Sequence, residues 1–289
     1  MAEPFTPAGS DVHRAYAEGR KLASAGVYAA ALAKFLLAFD QGADVIGFDG
    51  VRLSYLLWHL RALSCKYSPA LRALESRRDH FENLVLTGGS TPRVVRDMVA
   101  LNECLGCRGR SISTLDKLKA RSAMPSPAVL ELTMCLWKDL HLAGRYRDLA
   151  AVADRFPQYV ALDVLAHEFA LRAECENTSR VSHGDEGAAS IHWRRMLEDA
   201  VAQYEILLRI GRFQQASEVK NMILQVRRDE IVYSLLFRSA TRARQLGFAS
   251  CLLREARQTL TSRQVRTLRT KTHERRDAHE PRRSDGKGQ

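Results

Sequence analysis

Gly26-Val27-Tyr28-Ala29-Ala30-Ala31, Gly144-Arg145-Tyr146-Arg147-Asp148-Leu149 and Gly211-Arg212-Phe213-Gln214-Gln215-Ala216 are near-copies of one pattern. Each reads Gly, any residue, an aromatic, two further residues, then Ala or Leu. Each follows an amphipathic helical stretch and opens another. Glycine at the break fits a left-handed turn that other residues resist. The aromatic and the small residue that follow suit a new helix packing back on the old one. A helical hairpin recurring along a chain predicts a solenoid, in which each hairpin buries its apolar face on its neighbours.

Outward from these turns the apolar period stays helical. Asp11 is placed as the N-cap of a first helix that reaches about Ser24. Ala31, Phe35 and Phe39 share one face of the second, and Gly42 ends it. Leu53, Leu56, Leu57, Leu60 and Leu63 stripe the third. Pro69 suits the first turn of the fourth, and Thr87-Gly88-Gly89-Ser90 is a turn. Cys107-Arg108-Gly109-Arg110 reads as a loop and Met124-Pro125-Ser126-Pro127 as a linker. Pro157 is placed as the close of the hairpin that turns at Gly144. No stretch alternates apolar and polar residues between turn signals, so the chain reads as all-α. The expected divisions are a leader over 1–10, hairpins over 11–123, further hairpins of the same solenoid over 124–262, and a basic, disordered tail over 263–289. Two weaker copies are Cys65-Lys66-Tyr67-Ser68-Pro69-Ala70 and Leu246-Gly247-Phe248-Ala249, the latter with Gly247 as its turn residue.

The first hairpin carries a family resemblance. Gly19, Leu22, Gly26, Tyr28, Ala31, Phe35 and Ala38 stand where the tetratricopeptide repeat has small, large, Gly, aromatic, small, aromatic and small residues. The second copy keeps Leu140, Gly144 and Tyr146 but has Trp137 and Leu149 at the small positions. The third keeps Leu207, Gly211, Phe213 and Ala216, with Tyr204 at the first small position. The chain thus resembles a tetratricopeptide-repeat protein over about 200 of its 289 residues. The resemblance implies a right-handed α-α superhelix whose first helices line a concave groove that takes a peptide or another protein.

On that reading the groove side chains are His13, Tyr16 and Arg20 from the first hairpin, Arg52, Tyr55 and His59 from the second, and Arg93 and Arg96 from the third. This set is basic and aromatic, and it suits an acidic peptide, a terminal carboxylate or another anion. The same residues also fit an ordinary solvated face. Glu131, Lys138 and His141, then Glu198 and Glu205, make the later hairpins mixed or acidic. The lysine and asparagine carboxylate clamp of chaperone-binding members does not map here, because Tyr16 and His59 stand in its places.

The formal net charge is +11, and arginine outnumbers lysine 35 to 9. That usage fits GC-rich coding and a bacterial source, and also an anionic partner. Residues 261–289 hold nine basic and four acidic residues, so +5 of the +11 lies there. A nucleic-acid-associated regulator using this basic tail is the competing function, although no aromatic follows Phe248 to stack a base. Six cysteines with no regular framework fit a reducing cytoplasm. No apolar run approaches a membrane span, and the N-terminus shows no signal peptide.

Residues for catalysis are missing from the pattern. Cys104-Leu105-Gly106-Cys107 has metal-ligand spacing without a second pair, and His167-Glu168 lacks the second histidine of a metalloprotease helix, Leu171 standing there. Phosphate-binding glycine loops and nucleophile elbows are absent. The expected function is therefore non-enzymatic: a cytoplasmic scaffold without cofactor or metal that binds a protein or peptide.

Overall fold

Five turns of the chain share one backbone conformation. Gly26, Gly106, Gly144 and Gly211 have φ of +78°, +74°, +69° and +79°, and Arg244 joins them at 60°. At each, the following amide donates to the carbonyl five residues back, as in Val27 to Leu22, Cys107 to Asn102, Arg145 to Leu140, Arg212 to Leu207 and Gln245 to Ala240, at 2.7 to 2.9 Å. This double-bonded helix stop satisfies carbonyls that would otherwise be orphaned, and it needs a left-handed residue. Five positions beyond each turn residue stands a buried side chain: Ala31, Ser111, Leu149, Ala216 and Ala249. The hairpin unit is thus more regular than its sequence. Gly106 was hidden because Arg108 replaces the aromatic. The fifth turn is at Arg244, and Gly247 lies inside the helix that follows. Cys65, which heads a weaker copy, takes a right-handed turn instead (φ −70°, ψ −21°), so it needs no glycine.

The computed structural model describes residues 8–121, 124–177 and 188–273. Every regular element among them is helical. The chain packs as two units, 1–137 and 138–289.

In the first unit, α1 (Ala8–Ser24) and α2 (Tyr28–Gln41) form the first hairpin. Asp11 lies within α1, where it accepts from Arg14 at 2.6 Å rather than capping the helix. Helix α3 covers 49–64 and contains a π-helical turn, Arg52–Leu56, between Asp49–Val51 and Leu57–Ser64. It packs against α4 (Ser68–Thr87), followed by α5 (Pro92–Cys104) and α6 (Arg108–Arg121). The expected loop at 107–110 is thus the first turn of α6. Helix α7 (Pro127–Cys135) is capped by Ser126, whose hydroxyl accepts from the Val129 amide at 3.3 Å. It packs on α5 and α6, so the Pro-rich segment before it lies inside the first unit.

Each of these helices contacts the next, and from α3 on the next but one, which is consistent with a helical repeat. Gly19 is small for a reason: a Cβ there would sit 2.7 Å from Phe35 Cδ1. Phe35, Phe39, Phe48, Leu56, Leu60 and Leu74 are all buried at the centre of this unit. Tyr28 meets Tyr67 of the next turn at 6.4 Å between rings.

The second unit holds most of α8 (Trp137–Leu142), then α9 (Tyr146–Leu149), a 3-10 segment (Ala150–Arg155) and α10 (Phe156–Asn177). Pro157 falls in the first turn of α10, where it is tolerated, and so opens a helix rather than closing one. There follow α11 (Ala188–Arg209), α12 (Phe213–Val226), α13 (Glu230–Arg242), α14 (Leu246–Thr259) and α15 (Ser262–His273). Neighbour and next-neighbour packing recurs from α10 to α15. The expected tail thus contains a packed helix. Thr261 and Gln264 form a reciprocal cap, the Thr261 amide donating to Gln264 Oε1 at 3.0 Å and the Gln264 amide to Thr261 Oγ1 at 3.4 Å. Val265 and Leu268 are buried, and α15 contacts α13. Residues 274–289 lie outside the described residues.

Candidate functional site

Helices α1 and α3 open successive hairpins of the first unit. Val12, Ala15 and Gly19 turn the buried side of α1 inward, and Leu56, Leu57, Leu60 and Leu63 do the same for α3. What these stripes leave outside is aromatic and basic. His13 is exposed and meets Phe48 edge-on at 4.9 Å. Tyr16, half-buried, lies 5.7 Å from the His59 ring and 6.3 Å from Phe35. His59 is parallel to Phe35 within 11° at 5.9 Å and takes Trp58 edge-on at 4.9 Å. Arg20 places its guanidinium 5.9 Å from the Tyr16 ring centre, within reach of a cation–π attraction.

A groove of about 290 Å³ runs beside this cluster, lined by Arg20, Tyr28, Phe35, Trp58, His59 and Lys66 among others, with no Asp or Glu in its wall. Trp58 and Tyr55 stand 64% and 67% exposed on α3. Neither Arg20 nor Lys66 forms an ion pair with a described residue. Burial, then the charge of Arg20, holds the His59 pKa below its ordinary value, so His59 is neutral at pH 7. Burial likewise raises the Tyr16 hydroxyl, with nearby Tyr55 adding to the rise and Arg20 opposing it.

Of the eight expected residues, His13, Tyr16, Arg20, Tyr55 and His59 thus fall on the α1–α3 face. The three remaining arginines are engaged elsewhere. Arg52 is a correction: it is 1% exposed and cannot line a groove. Its guanidinium donates to both Asp97 oxygens at 3.1 and 2.5 Å and to Asp49 Oδ1 at 3.1 Å, and lies 5.0 Å from the centre of the Phe39 ring. The π-helical turn that begins at Arg52 carries one more residue per turn than an α-helix. A straight α-helical projection therefore misassigns the face of this segment. Arg93 is paired with Asp44 on the surface, and Arg96 Nε lies 3.9 Å from Glu131.

Trp58 and Lys66 were missing from the expected set. The available signal for Trp58 was its absence from the Leu53, Leu56, Leu57, Leu60 and Leu63 stripe: a large aromatic off the core face is exposed by default. Lys66 falls in the turn after α3, where helix periodicity says nothing about direction.

In the second unit, Glu205 is buried rather than presented. It receives Arg209 Nε at 3.1 Å and Arg242 Nη2 at 2.6 Å. His141 is half-buried, its Nδ1 has no hydrogen-bond partner among the described residues, and burial lowers its pKa. Lys138 pairs with Asp199 at 2.6 Å. Tyr204, at the position equivalent to Gly19, is fully buried with no partner for its hydroxyl among the described residues, and burial drives its pKa strongly upward.

Cys104 and Cys107 approach backbone carbonyls, Leu57 at 3.4 Å and Leu105 at 3.6 Å. Among the described residues no group of three His, Cys, Asp or Glu is placed to hold a metal, and no helix is long and apolar enough to cross a membrane. No protein-family model matches the chain, and neither a curated protein nor a solved structure does.

Proposed function

We propose that this chain is a non-enzymatic binding module of the tetratricopeptide type, and that it takes a peptide or helix of another protein on the α1–α3 face. The observation that carries this reading is the exposure of Trp58 beside Arg20, His59 and Lys66 along one acid-free groove, with Tyr55 exposed on the same helix. Large exposed aromatics are enriched where proteins dock, because they bury much area at small entropic cost. Two cations without an ion-pair partner among the described residues favour an acidic segment. The recurrence of one turn geometry with a buried residue five positions on supports the solenoid, in which first helices of adjacent hairpins lie side by side.

The test is affinity capture on the intact chain with identification of what is retained, followed by titration of the purified partner. Trp58→Ala and Arg20→Glu/Lys66→Glu each alter exposed or half-buried side chains and should leave the melting temperature in place. Loss of the partner in both variants supports the groove. A partner retained by both at unchanged affinity refutes it. Arg52 is unsuited to this test, since changing it breaks a buried ion pair.

A further inference from the structure

Helix α10 is apolar on every side. Within 156–169 only Gln158, Asp163, His167 and Glu168 interrupt its apolar side chains, a composition expected of a helix that is covered all round. The second unit covers one side of it. Phe156, Val160 and His167 are buried, and α10 packs on α11 and α12. At about 100° per residue, Tyr159, Leu162, Leu165, Ala166 and Phe169 fall within an arc of about 120° facing away from those three. All five are exposed, the four large ones by 44% to 67%. No other described helix exposes more than two large apolar side chains, and the one that exposes two is α3, with Tyr55 and Trp58. So continuous an apolar face is rare on a protein that works alone.

The chain itself narrows what covers this stripe. The residues outside the described segments include only three large apolar side chains, Met1, Phe5 and Val181, too few and too scattered to match it. Charge narrows the choice further. Residues 156–170 contain no Lys or Arg, and Asp163 and Glu168 flank the stripe on its two sides. Two copies of α10 laid face to face would set these carboxylates against one another. The α1–α3 groove is their complement: Tyr28, Phe35 and Trp58 line it with Arg20 and Lys66, and its wall holds no Asp or Glu. We propose that α10 of one copy docks in the α1–α3 groove of a second copy, a head-to-tail contact that rests on the groove being a docking face. The two surfaces differ, so each added copy leaves one of each open and the assembly can grow. At roughly 200 Å² for a whole side chain of this size, the stripe offers about 450 Å², roughly half of what each side gives to a standard interface, so the association is weak. A partner that takes the groove competes with the second copy for it.

The experiment is sedimentation velocity of the intact chain from roughly 5 to 300 μM, a span that brackets weak association. The average mass should rise with concentration past that of a dimer. Leu162→Glu/Leu165→Glu alters only exposed side chains of α10, and Trp58→Ala alters only the groove. Each variant alone should lose at least ~10-fold in self-association. Mixed in equal amounts, the two should form a dimer and stop there, because one intact α10 meets one intact groove and neither damaged face can extend the assembly. Circular dichroism and melting confirm that each variant is folded. Four results would overturn the proposal: a monomer throughout the range, wild-type association by either variant alone, no dimer in the mixture, or growth of the mixture beyond a dimer. The groove as a site for another protein is scored separately, on capture of that partner. A partner lost on Trp58→Ala from a chain that stays monomeric would sink the head-to-tail contact alone.

Discussion

Replacing Arg52 by Met tests how the first unit is held together. Arg52 and Asp97 are 1% and 3% exposed, and the pair joins α3 to α5 through two hydrogen bonds. Met retains much of the stem that packs on Phe39, so little volume is lost. What remains is the Asp97 carboxylate, closed off from water and without its counter-charge. Removing one partner of a buried pair costs about 3–5 kcal/mol. The Asp49 contact adds little, because its carboxylate is partly exposed and water can replace the guanidinium. With about 2.1 cal/mol/K of unfolding entropy per residue, the 137-residue unit has about 0.29 kcal/mol/K. A loss of about 4 kcal/mol then lowers its melting temperature by roughly 14 °C. Calorimetry reads this directly, as a lowered transition temperature for the unfolding of residues 1–137. The double variant Arg52→Met/Asp97→Leu removes both charges and should recover most of the loss, giving a coupling of at least about 2 kcal/mol in the cycle. Single variants each costing under about 1 kcal/mol, or a double variant as damaged as the sum of the singles, would refute the assignment.

Gly19→Ala drives a Cβ to 2.7 Å from Phe35 and should cost about 1–3 kcal/mol in urea unfolding. Arg244→Gly relieves a left-handed residue and should gain roughly 0.5–1 kcal/mol despite the added freedom of the unfolded chain. His59 and His141 have folded pKa values held below the unfolded value, burial being the chief cause in each. The unfolded chain therefore binds more protons just below about pH 6.5, and stability falls as pH drops through that window toward the folded values. His59→Gln/His141→Gln should flatten the stability profile between about pH 7 and 5, and an unchanged slope would count against the burial of both rings. Thiol titration at about pH 8 should modify exposed Cys65 and Cys251 quickly, and Cys135 slowly, because burial lifts its thiol to about 12. Equal rates would contradict the packing of α7.

The turns that could be read from sequence are those whose demand is local and whose residues are conventional. Gly26, Gly144 and Gly211 announce themselves because a left-handed φ is satisfied at one residue, and the aromatic that follows marks the new helix. The same turn at Gly106 lacks its aromatic, and at Arg244 it lacks its glycine, with Gly247 three residues on as a decoy. Both were settled by how consecutive helices pack, which brings Ser111 and Ala249 to the position of Ala31. The groove divides along the same line. His13, Tyr16 and Arg20 lie on a regular helix, where spacing alone tells which way a side chain faces. Arg52 lies in a π-helical turn, and its partner Asp97 is 45 residues away. Its burial follows from a long-range ion pair that no local period encodes.

By itself, the sequence determined the helical content, the hairpin period and the basic, aromatic character of the first helices, because helix periodicity and left-handed turns are short-range properties. Only the tertiary structure decided which cations are neutralised within the chain. Arg52, Arg93 and Arg96 are held by Asp97, Asp44 and Glu131, whereas Arg20, Lys66, Arg254, Arg257 and Arg263 find no carboxylate among the described residues. A charge is free or satisfied according to what folds against it, and that depends on residues distant in the chain.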